Sequence, residues 1–260
     1  MPDVRYELDG KVARVTLDRP EKFNALTLEM LDSIAMSIKD AEERCARVWV
    51  ITGSGNSFCS GGDIELMKEA LAGDVKRMFQ SLTGKLRKCV VSIVKSPLIC
   101  IASIPGVAVG AGLAIALACD VRIASQGAKF RAGYPNIGMT PNGGITFLLP
   151  RLVGASAAKD MLLTNRTVDA HEALRIELVS RVVDQETLAN ETNKLVNQIL
   201  SGAPFTHVAS KQFIDRHLRA EFEGHLDEEQ ALNVQSVTRK DFREGVEAFL
   251  EKRKPKFTGD

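Results

Sequence analysis

Apolar positions recur along the chain with two periods. Residues 4–8 and 12–17 are strand-like and flank Asp9-Gly10, a dipeptide suited to a tight turn, so they predict an opening β-hairpin. From Thr27, a side chain able to cap a helix, Leu28, Leu31, Ile34, Ala35, Ile38 and Ala41 recur at helical spacing, and the pattern stops before Arg47. Residues 48–52 are apolar and largely β-branched, the signature of a buried strand, and the glycine-rich run 53–63 follows them. A helix over 75–94 is predicted by Met78, Leu82, Leu86, Cys89, Val90 and Ile93, with Gly84 inside it costing about 1 kcal/mol relative to Ala and Ser96-Pro97 ending it. Next come a strand at 98–104, a turn at 105–110, a short apolar helix at 111–118 and a strand at 121–124. Such alternation of strand, loop and helix argues for α/β layering. After Pro150 the pattern changes: 155–163, 170–174, 186–200 and nearly all of 205–252 read as helix, with one strand at 179–183. The last third is expected to pack, as a helical appendage, on the first part or on a neighbouring subunit.

The charge balance narrows the partners. Thirty-four Lys and Arg against 33 Asp and Glu leave a formal charge of +1, too little to draw nucleic acid or an anionic membrane. An anionic ligand therefore has to be held by local groups. The longest apolar stretch, 99–119, is broken by Pro105, Gly106, Gly110 and Gly112, which argues against a bilayer-spanning helix. No basic-then-apolar signal segment opens the chain, and Cys45, Cys59, Cys89, Cys100 and Cys119 are widely spaced without a CxxC pair. The chain reads as intracellular and cytoplasmic, with unpaired thiols. His171, His207, His217 and His225 lack metal-ligand spacing, so no metal site is expected.

Two glycine clusters follow predicted strands. The run 53–62 lacks the Gly-Lys-[Ser/Thr] ending of a phosphate-binding loop, and Gly110-Ala111-Gly112-Leu113-Ala114-Ile115 has Ile where a dinucleotide fingerprint needs Gly or Ala. Plain turns are one alternative for both. The other is chemical: small residues after a strand let backbone amides face a cavity, the second cluster opens a helix, and two converging amides stabilise an oxyanion or enolate.

Six motifs in order then carry a resemblance. They are Arg19-Pro20-Glu21-Lys22-Phe23-Asn24-Ala25-Leu26, Phe58-Cys59-Ser60-Gly61-Gly62-Asp63-Ile64, and Pro105-Gly106-Val107-Ala108-Val109-Gly110-Ala111-Gly112 running to Cys119-Asp120. Gly138-Met139-Thr140-Pro141-Asn142-Gly143-Gly144, Leu149-Pro150-Arg151-Leu152-Val153-Gly154, and a tail from Phe242-Arg243-Glu244-Gly245-Val246 to Lys256-Phe257 complete the set. Over essentially its full length the chain resembles the enoyl-CoA hydratase/isomerase family, or crotonase superfamily. The resemblance implies an α/β fold built as a ClpP-like spiral of ββα units over 1–200, with a C-terminal helical trimerisation region at 201–260. It also implies a homotrimer or dimer of trimers, an acyl-CoA thioester substrate from fatty or aromatic acid metabolism, and no cofactor beyond the coenzyme A of that substrate. The oxyanion-hole amides fall on Gly62 and Ala111. Lys22, Ala25, Ser60, Asp63, Ile64, Gly110, Ala114 and Lys256 fall on substrate-binding positions, with a solvated basic surface as an equal alternative for Lys22 and the lysines of 252–256.

The family's proton-handling residues are where the pattern departs. The two glutamates of the hydratases fall on Ala114 and Tyr134, and the single carboxylate of ring-1,2-epoxyphenylacetyl-CoA isomerase or 4-chlorobenzoyl-CoA dehalogenase falls on Asn142. An amide donates and accepts hydrogen bonds but neither carries a proton between carbons nor attacks as a carboxylate does. Several readings follow. Asn142 orients a polar group or water, Tyr134 acts as acid or base with a pKa lowered from about 10, or a carboxylate swings in from Asp63, Glu65 or the helix around Glu69. The leading expectation is an acyl-CoA enzyme of the isomerase or hydratase/lyase type that stabilises a thioester enolate, isomerase-type ahead of two-glutamate hydratase; the alternative is a noncatalytic or degenerate acyl-CoA-binding protein. Cys59 reads as a packing residue and Asp120 as an anchor of the turn after its helix.

Overall fold

The computed structural model describes residues 3–260. The opening hairpin forms as β1 (Val4–Asp9) and β2 (Val12–Leu17), antiparallel, with Asp9 opposite Val12. Helix α1 (Leu28–Glu43) starts where Thr27 accepts the Met30 N–H at 3.2 Å, satisfying one of the donors a helix start leaves free. From Val48 a strand, strand, helix unit recurs. Its first turn contains β3 (Val48–Gly53), β4 (Ser57–Cys59), α2 (Ile64–Ala72) and α3 (Val75–Lys95). The second contains β5 (Ile99–Ile104), β6 (Val107–Val109) and α4 (Ala111–Ala118). The third contains β7 (Val121–Ser125), β8 (Lys129–Arg131) and α5 (Ile145–Thr164), and β9 (Val168–Asp169), α6 (Ala170–Arg175), β10 (Arg181–Val183) and α7 (Leu188–Ser201) follow.

Each turn of this spiral gives one strand to each of two sheets. The first strands of the three turns, with the hairpin and β10, build a six-stranded sheet in the order β1-β2-β3-β5-β7-β10, and the second strands, with β9, a smaller sheet in the order β4-β6-β8-β9. The large sheet is covered on both faces, which is why β3 reads as a continuous apolar run. Val48 and Val50 pack with Ile101 and Ile123 against Leu188, Leu195 and Val196 of α7. Trp49 and Ile51 belong to the main core on the other face with Leu31, Ile34 and Ile38 of α1, and the Trp49 indole N–H donates to Ser37 Oγ at 3.1 Å. Each such fully buried large side chain contributes roughly 1.5–3 kcal/mol.

The small sheet is the main departure from the sequence reading. Residues 53–63 and 105–110 read as glycine-rich turns, yet they contain β4 and β6, and β8 had no signal of its own. Three residues do not establish a period. Likewise α5 begins ten residues before the expected 155–163 helix, because Pro150 and the non-helical Gly154 interrupt the pattern without ending the element. The expected helical tail is three helices, α8 (Pro204–Ile214), α9 (Arg216–Ser236) and α10 (Lys240–Leu250). In this structure they pack on their own chain: Arg87 of α3 donates to Asp227 of α9 at 2.8 Å, and α10 lies on α2 and on the short turn Pro135–Ile137. Among the described residues no helix is long and apolar enough to cross a membrane.

Candidate active site

Strands β4, β6 and β8 are adjacent and parallel, so their C-terminal ends share one edge. That edge delivers three segments from three turns of the spiral: Ser60-Gly61-Gly62, Gly110-Ala111 and Ala132-Gly133-Tyr134. They border one cavity of 520 Å³. Of the residues expected from the sequence, Gly62, Ala111, Tyr134, Asn142, Lys22, Ala25, Ser60, Asp63, Ile64 and Gly110 line it. Two do not. Ala114 is buried one turn into α4, where a side chain on Gly143 would begin 2.9 Å from its Cβ. Lys256 lies in a separate groove with Lys240, Asp241, Glu244, Arg253 and Thr258.

One wall is made of backbone. The first residue of α4, Ala111, and Gly62 both lack an acceptor for their N–H among the described residues. Gly110 precedes Ala111 with φ 54° and ψ −122°, a conformation only glycine adopts readily, and that turn frees the Ala111 N–H from β6. The two segments touch: a side chain on Gly61 would begin 3.8 Å from the Ala111 nitrogen. Gly112 seals the contact, since a Cβ there would sit 2.6 Å from Cys59 Cβ. Cys59 itself is a packing residue, fully buried, its thiol pushed up to about 12 by desolvation. Two unpaired N–H groups at the end of one sheet and the start of a helix suit negative charge developing on a carbonyl oxygen.

The opposite wall is made of side chains. The Tyr134 hydroxyl, inside the protein, donates to Asn142 O at 3.1 Å and Asn142 Oδ1 at 3.2 Å. Burial first, then the nearby Glu229 charge, raises the phenol far above its ordinary value, so it stays protonated. Asn142 is itself buried and its Oδ1 is engaged, which leaves its amide nitrogen as the group to meet a ligand. The turn carrying Asn142 is gripped by α9. Glu229 accepts Gly144 N–H at 2.6 Å and Thr146 N–H at 3.0 Å, capping α5 in place of the missing cap side chain at Gly144. Asn233 donates to Thr140 O at 2.7 Å, and Ser236 accepts Thr140 N–H at 3.1 Å.

Apolar side chains fill the remainder: Met67 of α2, Phe79, Leu82 and Leu86 of α3, Ile137 and Met139, with Phe249 of α10 at the rim. The Phe79 and Phe242 rings meet edge to face at 5.1 Å, fixing α10 over this end. The lining carboxylates are Glu21, Asp63 and Glu65. Asp63 pairs with Arg19 at 3.0 Å and caps α2, while Glu65 pairs with Lys22 at 2.7 Å across the mouth. Among the described residues no three His, Cys, Asp or Glu are grouped to hold a metal ion.

The sequence profile of the enoyl-CoA hydratase/isomerase family matches residues 7–260. The chain belongs to the enoyl-CoA hydratase/isomerase family. It is 37% identical over 256 residues to a short-chain-enoyl-CoA hydratase of Clostridium acetobutylicum, covering 97% of this chain and 96% of the relative. It is 33% identical over 260 residues to a 1,2-epoxyphenylacetyl-CoA isomerase of Escherichia coli, covering 100% and 99%. A crystal structure of an enoyl-CoA hydratase from Mycobacterium avium subsp. paratuberculosis superposes with a TM-score of 0.89 at 30% identity, covering 98% of both chains. The α/β spiral expected from the sequence is thus the fold, and as a member of this enoyl-CoA hydratase/isomerase family the protein is an acyl-CoA enzyme.

Three groups escaped the sequence reading: Glu229, Arg131 and the apolar lining from α2 and α3. Glu229 had a readable signal, because Glu229, Asn233 and Ser236 form a polar stripe at helical spacing, all three buried.

Proposed function

We propose that the thioester carbonyl of an acyl-CoA sits between the Gly62 and Ala111 amides and that the enzyme stabilises the resulting enolate for an isomerase-type shift. The observation that carries this is the pair of N–H groups without acceptors on one wall of an otherwise apolar cavity. Hydrogen bonds from two fixed amides stabilise the enolate more than the starting thioester, which lowers the barrier to removing a proton next to the carbonyl. Hydration by two carboxylates is disfavoured, since Ala114 and Tyr134 stand at the expected positions and the phenol is held protonated. Asn142 then serves as a donor through its amide nitrogen to a second polar atom of the substrate or to a water, and the proton is carried by that atom or water.

A noncatalytic acyl-CoA-binding role is the second reading. It is favoured by two of the three lining carboxylates being engaged, Asp63 with Arg19 and Glu65 with Lys22. A panel of enoyl-, dienoyl- and aryl-CoA thioesters separates the two. Turnover of one class with rearrangement of a double bond or ring is expected; tight binding with no turnover of any member would leave the binding role. Asn142→Asp should create or raise isomerase activity by placing a carboxylate opposite the amides. We further propose a homotrimer or dimer of trimers, with Phe205, Phe213 and Ile214 of α8, exposed by 82%, 75% and 81%, among the surfaces covered. Light scattering of the purified protein tests it, and a monomer would sink it. Lys256 contributes, in this reading, to the nucleotide end of the substrate site.

A further inference from the structure

Five charged residues line the cavity: Glu21, Lys22, Asp63, Glu65 and Arg131. Lys22 and Glu65 answer each other, Asp63 is answered by Arg19, and Glu21 is exposed on the short turn Pro20–Lys22. Arg131 is different. It is half-buried, and among the described residues no carboxylate pairs with it. Among the described residues the guanidinium makes one hydrogen bond, from Nε to the Asn165 carbonyl at 2.9 Å. That carbonyl is held in place: Asn165 adopts φ 53°, is 5% exposed, and accepts the Gly133 N–H through Oδ1 at 2.7 Å. Tethering through Nε leaves both terminal nitrogens, the edge with which arginine grips a carboxylate or phosphate in two parallel bonds.

Its place in the fold puts this residue's backbone beside the backbone wall. Arg131 ends β8 opposite Val109 of β6, and its carbonyl accepts the Gly110 N–H at 3.2 Å. The two backbones are thus one strand spacing apart, about 4.8 Å, and Ala111 is the next residue along. A cation that lines a mostly apolar cavity without a counter-charge is costly unless a ligand brings one. Resting on the reading of the cavity as an acyl-CoA site, we propose that Arg131 receives an anionic group of the ligand: a carboxylate on the acyl chain or a phosphate of the coenzyme.

Calorimetric titration of the wild-type protein, Arg131→Gln and Arg131→Lys tests this with butyryl-CoA, glutaryl-CoA and the two matching acyl-pantetheines, which lack phosphates. If the acyl carboxylate is the partner, Arg131→Gln weakens glutaryl-CoA and glutaryl-pantetheine by about 30-fold or more and leaves both butyryl ligands within about twofold. If a coenzyme phosphate is the partner, both CoA thioesters weaken alike and both pantetheines are unaffected. Arg131→Lys, which keeps the charge and loses the fork, should fall between wild type and Arg131→Gln. Unchanged affinity of Arg131→Gln for all four ligands overturns the assignment. Failure of the wild type to bind either CoA thioester would instead overturn the acyl-CoA reading of the cavity.

Discussion

The two walls of the cavity are held by different physics. The Gly62 and Ala111 wall consists of main-chain donors fixed by parallel strand pairing and by the start of α4, so side-chain identity there matters only through size. The Tyr134 and Asn142 wall consists of side chains on a turn whose backbone is held by a helix more than eighty residues away in sequence. One wall is robust to substitution and the other is conditional on α9. Changes on the first should therefore alter chemistry with little effect on folding, and changes behind the second should appear first as lost stability.

Ala111→Pro gives the largest functional effect. Position 111 is the first residue of α4, where proline is tolerated and no intrahelical bond is lost, so the substitution deletes the N–H and little else in the fold. Turnover of the best thioester in the panel should fall by about 10²–10³-fold, as for removal of one oxyanion donor. A bound arylenoyl-CoA should also lose the red shift that carbonyl polarisation produces, while Ala111→Ser, which keeps the N–H, retains both. A proline variant with wild-type turnover would remove Ala111 from the site.

Glu229→Ala is the matching change behind the other wall. It strips two backbone N–H groups, buried at Gly144 and part-buried at Thr146, and the start of α5 of their acceptor, and a destabilisation of about 3 kcal/mol is expected in urea. Glu229→Gln, able to accept with one oxygen, should recover part of that loss. Should Glu229→Ala melt like the wild type, the turn is held by Asn233 and Ser236 alone, and the contrast between the walls weakens.

This contrast also explains what could be read from the chain. The backbone wall was legible because its glycines and small residues sit in contiguous motifs, Ser60-Gly61-Gly62 and Gly110-Ala111-Gly112, and because the requirement is local. The small sheet that aligns them was not, since β4, β6 and β8 span three residues each and pair through contacts 22 to 50 positions apart. Asn142 and Tyr134 were legible as positions, but not their mutual hydrogen bond, which turns Tyr134 from a candidate acid or base into a buried donor. Glu229 and Arg131 owe their significance to Gly144 and Asn165, partners 85 and 34 residues distant, which no motif records. Ala114 and Lys256 entered by alignment with family positions, and in this chain the first carries only a methyl group and the second lies in another groove.

The smallest effect concerns pH. The chain has two tyrosines, and both are shifted upward: Tyr6 to about 12, by burial and by its bond to Asp40, and Tyr134 further still. In the unfolded chain each ionises near 10. Below that value both states keep their phenolic protons and stability is indifferent to them. As pH rises through 10, the unfolded chain loses protons that the folded chain retains, so the unfolded state gains and stability falls. Spectrophotometric titration should accordingly show no tyrosinate absorbance from the native protein below about pH 11, and a steep rise only when the fold opens. Tyr6→Phe removes the earlier of the two groups and isolates Tyr134. In that variant, a tyrosinate signal near pH 10 with intact circular dichroism would mean that the Tyr134 phenol reaches water and can exchange its proton, returning it to the role of acid or base and making the second wall chemical rather than structural.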